Sequence, residues 1–402
     1  MSETAVGPRG RPGRWAVGVV YVSGVVQGVM MVSFAASSAV LRSRHGFTDT
    51  QYGSIFLPQV VLAAAAAIGS GALLRVLDLR QLLALSFAAM TLSQAALAAS
   101  HFLDPATALV VVSLGTALMG LGCGLSAPPL NTYPQLFFPA RSESAVVAMH
   151  TAMGMGLAAG PLFVGFAAPR GLWLSFPLTG LAACLMLLAG TLRATLPRPT
   201  LARTPHASEP SSTGRSRFWL FAAIAFLYAV AEAGYSNWAV LYLREEKGLT
   251  VAAASLGLAA FWLALSVGRL LVGVLVLRFP AERVYPVLPL IMAGASLLLP
   301  LADTPRRAAF LFGLAGLGCS AFYPLTVGLA SRRFPGHVAW VGAMAYAALV
   351  TGIGAGSFVT GMLRVRLSLV TIYPWSALCP LLALLLAIPA LATPARPASA
   401  RG

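Results

Sequence analysis

Arg193-Ala-Thr-Leu-Pro197-Arg-Pro199-Thr-Leu-Ala-Arg203-Thr-Pro205-His-Ala-Ser-Glu-Pro210-Ser-Ser-Thr-Gly-Arg215-Ser-Arg217 divides this chain in two. Six apolar segments precede this polar, proline-rich linker and six follow it. A helix that crosses a bilayer needs about 20 mostly apolar residues. Such runs lie near Trp15–Leu41, Tyr52–Leu74, Leu82–Ala99, Ala106–Leu136, Ser144–Ala167 and Leu172–Leu192 before the linker. After it they lie near Phe218–Leu243, Val251–Leu277, Tyr285–Leu301, Ala308–Leu329, Val338–Leu363 and Leu369–Leu391. The expected fold is an all-α membrane protein with twelve transmembrane helices in two six-helix bundles. The bundles occupy residues 15–192 and 218–391, with a linker at 193–217 and tails at 1–14 and 392–402. With so little chain outside the bilayer, function must sit between the helices.

Composition agrees. Charged residues are 9% of 402 and apolar residues 58%, against about 25% charged in an ordinary soluble domain. The net charge of +16 does not point to nucleic acid, because the arginines sit in short loops rather than on one soluble face. With a cytoplasmic N-terminus, 18 of the 27 Lys and Arg fall in inner segments and 9 in outer loops. The positive-inside rule then puts both termini and the linker in the cytoplasm. One Lys (Lys247) against 26 Arg fits a GC-rich bacterial gene and an inner membrane. The first apolar run follows Arg9, Arg11 and Arg14 but is too long for a signal-peptide core. Cys123, Cys184, Cys319 and Cys379 all fall inside spans, with no CxxC and no metal spacing, so no cofactor is expected.

The halves repeat. Gly120-Leu121-Gly122-Cys123 returns 196 positions later as Gly316-Leu317-Gly318-Cys319. In the same register Pro128 meets Pro324, Phe138-Pro139 meets Phe334-Pro335, Gly156 meets Gly352 and Gly160 meets Gly356. Six spans separate the copies, so both cross in the same direction, which is a parallel repeat. The glycines let helix backbones approach where lipid offers no hydrophobic drive. Pro128-Pro129 and Pro324 free backbone carbonyls at equivalent depth, and paired interruptions of that kind point to a binding site.

Six plus six helices, a central linker and parallel halves resemble the major facilitator superfamily over nearly the whole chain. That resemblance implies alternating access around a midplane site. It also implies gating at Gly71, Arg75, Asp78 and Arg80, in the loop that stands where the family has G-x-x-x-D-R-x-G-R-[KR]; the first Gly is kept and Arg75 stands where the acid is expected. The second-half counterpart is Gly268, Arg269 and Arg278, and Arg269 is expected to close a loop contact with an acid such as Glu282. The stretch Ala148–Pro161 resembles the family's fifth helix. Phe226–Trp238 is similar to the seventh helix of the fucose–galactose–glucose/proton symporters, with Val230 in place of a glycine. Those symporters use acids on the first and fourth helices, where this chain offers Gln27 and Asn131.

Glu232 is the only acid read inside a span. A mid-helix carboxylate is costly in lipid and by default faces the interior as a pathway or proton-relay residue; the bland reading is a structural carboxyl held by a tyrosine. His150 is the second candidate for proton coupling, against a packing role. Tyr228, Tyr235, Trp238 and Tyr242 share one helical face. Aromatic planes with hydroxyl handles suit sugars and flat ligands, and the bland reading is a packing or interfacial belt. Trp15, Trp173, Trp219, Trp340 and Trp375 sit near span ends as belt residues. The expected substrate-binding set is Gln27, Asn131, Tyr228, Tyr235, Asn237, Trp238 and Tyr323.

A secondary transporter is the leading reading, working as a monomer on a small-molecule substrate and a proton. Uptake of a sugar-like nutrient is favoured over export of drugs or metabolites. No P-loop is present to drive a pump, and no H-E-x-x-H, G-x-S-x-G or paired intramembrane aspartates support an enzyme. No charged ring or filter loop supports a channel. A non-transporting sensor is the remaining rival.

Overall fold

The computed structural model describes residues 13–197, 212–334 and 337–392. Twelve helices are long and apolar enough to cross a membrane. They are α1 (Arg14–Met31), α2 (Asp49–Ser70), α3 (Leu79–Ser100), α4 (Pro105–Phe137), α5 (Ser144–Arg170) and α6 (Ser175–Arg193), then α7 (Phe218–Asn237), α8 (Val251–Leu275), α9 (Ala281–Leu301), α10 (Pro305–Arg333), α11 (Trp340–Leu363) and α12 (Leu369–Ala390). Among the described residues there is no strand. Most of the linker and both tails lie outside the described residues. The second bundle begins earlier than its hydropathy implies, because the helix carrying α7 already starts at Ser212.

The chain punctuates these helices with local chemistry. At the end of the molecule away from the linker, Thr48, Asp104, Thr250, Thr304 and Ser368 accept backbone N–H groups at helix starts. These side chains satisfy donors that the first turn leaves unpaired. Gly46 and Gly248 turn the chain with φ of 63° and 64°, a conformation glycine adopts without a Cβ penalty. Gly46/Thr48 and Gly248/Thr250 are a repeated pair, 202 positions apart.

The repeat is built into the packing. A Cβ on Gly120 would overlap the carbonyl of Gln59, and one on Gly316 the carbonyl of Phe261. Gly122 lies against Met90 and Gly318 against Met292, each 2.7 Å from a Cβ at that position. Gly156 meets the Val25 carbonyl and Gly352 the Phe226 carbonyl. Glycines 196 positions apart thus meet partners 202 apart on α2/α8 and α3/α9, and 201 apart on α1/α7. The helix neighbours follow the same rule: α2–α4 matches α8–α10, α1–α5 matches α7–α11, and α3–α6 matches α9–α12.

The halves meet through α5 against α8 and α2 against α11. Close approaches run from the far end to mid-depth. A Cβ on Gly53 would lie 2.6 Å from the Ser357 carbonyl, one on Gly361 would lie 2.5 Å from that of Asp49, and Gly165 sits against Ser255. Gly354 against Val60 and Gly154 against Ser266 are the deepest.

Candidate functional site

Pro324 opens the site. It has no N–H to give the carbonyl of Ser320, and α10 breaks between Cys319 and Phe322. Arg269 of α8 fills the gap: its Nε donates to the Ser320 carbonyl at 3.0 Å. Gly268 allows this approach, since a Cβ there would lie 2.8 Å from Ser320 and Leu317. The guanidinium is thereby drawn to the middle of the bundle, beside Glu232 and within electrostatic reach of His150 on the other half.

Glu232 is 8% exposed. Around its carboxyl stand the Tyr228 phenol, the Cys319 thiol and Tyr323. Tyr228 donates to the Cys319 carbonyl at 3.1 Å and stacks on Tyr323 with centroids 6.3 Å apart. Across the gap, Asn131 donates to the Ala127 carbonyl at 2.8 Å and shares a 3.1 Å hydrogen bond with His150 Nε2. Asn131 is exposed, six residues before the linker-side end of α4. Tyr346 of α11 stands between Tyr323 and Cys123 of α4.

The far end is shut by charge. Arg364 is 10% exposed and pairs with Asp49 at 3.0 Å, Glu245 at 2.6 Å and Glu246 at 3.6 Å. Arg42 pairs with Asp49 at 2.7 Å and Glu245 at 3.3 Å. Glu246 also accepts the N–H groups of Leu369 and Val370 at 2.6 and 2.7 Å, capping α12. Beneath this cluster Tyr52 donates to the Asn237 carbonyl at 2.7 Å, and Trp238 Nε1 donates to the Ser357 carbonyl at 3.2 Å. Ion pairs thus join the two halves at this end.

The profile described as Major Facilitator Superfamily matches residues 19–306. The chain belongs to that superfamily. It is therefore a multi-pass membrane transporter rather than an enzyme. No curated protein sequence matches it. Among solved structures, a D-xylose-proton symporter matches with a TM-score of 0.77 at 14% identity, covering 92% of this chain and 96% of that one. A transporter of the POT family, in complex with a thioalcohol-conjugated peptide, matches at 0.74 and 11%, covering 94% and 96%. A bacterial homolog of the human lysosomal transporter Spinster matches at 0.66 and 16%, covering 93% and 94%. At these identities the likeness is one of fold.

For this superfamily member the structure brings together Glu232, His150, Asn131, Tyr228 and Tyr323 from the expected set. It takes three others away. Tyr235 faces inside its own half, donating to the Met292 carbonyl at 3.1 Å and stacking on Tyr373. Asn237 and Trp238 belong to the far-end closure, where Asn237 donates to Ser357 Oγ at 2.7 Å. A helical face of four aromatics covers too long a stretch of α7 to stay at one depth. Gln27 is buried on α1 with its Oε1 unpaired.

The Arg269–Glu282 contact does not form, because Glu282 pairs with Arg332 at 2.8 Å and Arg269 turns inward. Asp78 caps α3 in a capping box with Gln81, and Arg80 donates to the carbonyls of Thr191 and Leu192 at the end of α6. Gly71 lies in the last helical turn before this loop, and Arg75 follows that turn. Arg278 is exposed beyond α8. Trp173 is no belt residue; it is buried and donates to Ser37 Oγ.

Sequence reasoning missed Tyr346 and the far-end charges. The repeat register carried the first, because Tyr346 stands 196 positions after His150. The charges of Arg42, Asp49, Glu245, Glu246 and Arg364 read as loop residues, and nothing in their spacing places them in one cluster.

Proposed function

We propose that this chain is a proton-coupled secondary transporter that takes up a small polar solute by alternating access. The observation that carries this reading is the Glu232 carboxyl buried within α7, with Arg269 beside it and His150 of the other half within electrostatic reach of that arginine. A charge at that depth hinders reorientation unless another charge offsets it, so the protonation of Glu232, beside Arg269, can govern which states move. Glu232 is the proton carrier, His150 assists it, and Asn131, Tyr228, Tyr323 and Gln27 line the path. The basic bias of the linker side supports a cytoplasmic position for it in a bacterial inner membrane, in which case the ionic cluster closes the outer side. The loops at Gly71–Arg80 and Gly268–Arg278 flank the inner gate. The sugar-like reading loses its aromatic platform with Tyr235 and Trp238, while the D-xylose-proton symporter shares the fold alone.

Proteoliposomes under an inward pH gradient test this against sugars, amino acids and organic acids. Wild type should accumulate one class, and Glu232→Gln should lose accumulation by about tenfold or more, the equivalent of ~1.4 kcal/mol, while keeping solute exchange. Accumulation unchanged in that variant removes Glu232 from coupling. Movement only outward makes the chain an exporter.

A further inference from the structure

Arg269 is unusual for a charged group at this depth. Its Nε is spent on Ser320, yet among the described residues neither Nη group has a hydrogen-bond partner and no carboxylate forms an ion pair with it. A guanidinium inside a membrane bundle is costly unless paired. Glu232 is near enough to offset its charge but does not occupy its fork. A planar pair of N–H donors with nothing on it matches a carboxylate, which takes both in parallel.

We infer that the transported solute is a small organic monocarboxylate, sugar acids included, held by the free fork of Arg269 and admitted when Glu232 takes up a proton. The inference rests on the transport reading and names its substrate class. Empty, the site holds Glu232 as carboxylate and Arg269 as guanidinium, a net charge of zero. Loaded, it holds neutral Glu232, Arg269 and the substrate anion, again zero. The proton passes from water to the Glu232 carboxyl, and no other bond changes. The two half-loaded states carry one uncompensated charge each, which hinders their reorientation. A neutral sugar would leave the fork of Arg269 unfilled, and a dianion would leave the loaded carrier charged.

The groups facing this pair are Tyr228 on α7, Cys319 and Tyr323 on α10 and His150 on α5. Of these, His150 is the one imidazole. Asn131, bonded to it at 3.1 Å, is a donor available to the far side of the substrate.

The test is ligand-induced thermal stabilisation of the purified full-length protein, which needs no gradient. The probes are lactate, pyruvate, benzoate and gluconate, set against lactamide, benzamide, glucose, inorganic phosphate and sulfate. At least one carboxylate should stabilise wild type, and bind about tenfold or more tighter near pH 5.5 than near pH 8. Its neutral counterpart should not. Arg269→Gln should abolish the effect, and Arg269→Lys, which keeps the charge and loses the fork, should weaken it. Glu232→Gln should bind without the pH dependence. Unliganded melting confirms that each variant is folded, and the Lys variant serves if the Gln variant is not.

Stabilisation by glucose, phosphate or sulfate with no carboxylate active overturns the inference, as does no response to any carboxylate. Carboxylate binding unchanged by both Arg269 substitutions overturns it as well. A neutral sugar driven by the pH gradient in proteoliposomes would sink the anionic class while leaving proton-coupled transport intact.

Discussion

Gly156 and Gly352 do the same work in the two halves, each seating its helix against a backbone carbonyl of the neighbouring half-bundle helix. The chemistry at equivalent places is not the same. Met31 stands where the second half has Glu232, Ala67 where it has Arg269, Gln27 where it has Tyr228, and Ala168 where it has Arg364. Conversely His150 of the first half becomes Tyr346. Backbone proximity is required twice, once in each bundle, because lipid supplies no other drive for helix association. Under the proposed function charge is required once, because one site serves both halves. The repeat therefore holds the packing glycines and lets the polar residues diverge.

The largest effect should come from breaking the shared part. Gly156→Leu and Gly352→Leu each push a side chain into a carbonyl, and overpacking of this kind costs about 1–3 kcal/mol, at times more. Both variants should lose most of their folded yield, measured by size exclusion in detergent. Gly18→Ala is the control: nothing lies within 4 Å of a Cβ there, and a helical glycine replaced by alanine gains ~0.5–1 kcal/mol. If one glycine of the pair tolerates leucine, the packing equivalence fails.

A smaller effect should follow from removing a charge that only the second half supplies. Arg364→Ala leaves Asp49, Glu245 and Glu246 with Arg42 as their remaining guanidinium. The far end should open more often. With the four native cysteines replaced, an impermeant thiol reagent should modify a cysteine at position 357 about tenfold faster than in the parent, ~1.4 kcal/mol of shift. An unchanged rate means the glycine contacts alone hold that end shut.

The smallest effect concerns the loops at the same end. His45 and His101 in the first half have pKa values held below 6.5, first by burial and then by Arg44. At the place equivalent to His101 the second half has Asp303, paired with Arg307 at 2.8 Å and held below the usual carboxylate range. A folded value below the unfolded one means the folded histidine binds fewer protons. Its contribution is complete above about pH 6.5 and is lost as the pH falls toward the folded value. Hydrogen exchange, corrected for intrinsic rates, should rise between about pH 7.5 and pH 5.5 in segments 42–47 and 98–104. Segment 302–307 should not change. Equal responses would erase this difference between the halves.

The twelve spans, their division by the linker and the parallel relation of the halves were legible from residues alone. Hydropathy decides what enters a bilayer one helix at a time, and a repeated register of glycines and prolines needs no coordinates to be noticed. Glu232 was legible for the same reason, as an acid where acids are costly. Its surroundings were not. Tyr235 and Trp238 share the helical face beside it but sit at other depths, one turned into its own half and one into the far-end closure. Arg269 read as a gate residue because it lies near the end of α8. Only the break in α10 at Pro324, and the Ser320 carbonyl it frees, draw that long side chain to the centre. Local pattern fixes which residues are helical and which face water or lipid, since those are one-body preferences. Which side chains meet depends on how helices hundreds of residues apart cross, and that was decided by backbone contacts at glycines, a property of the assembled bundle.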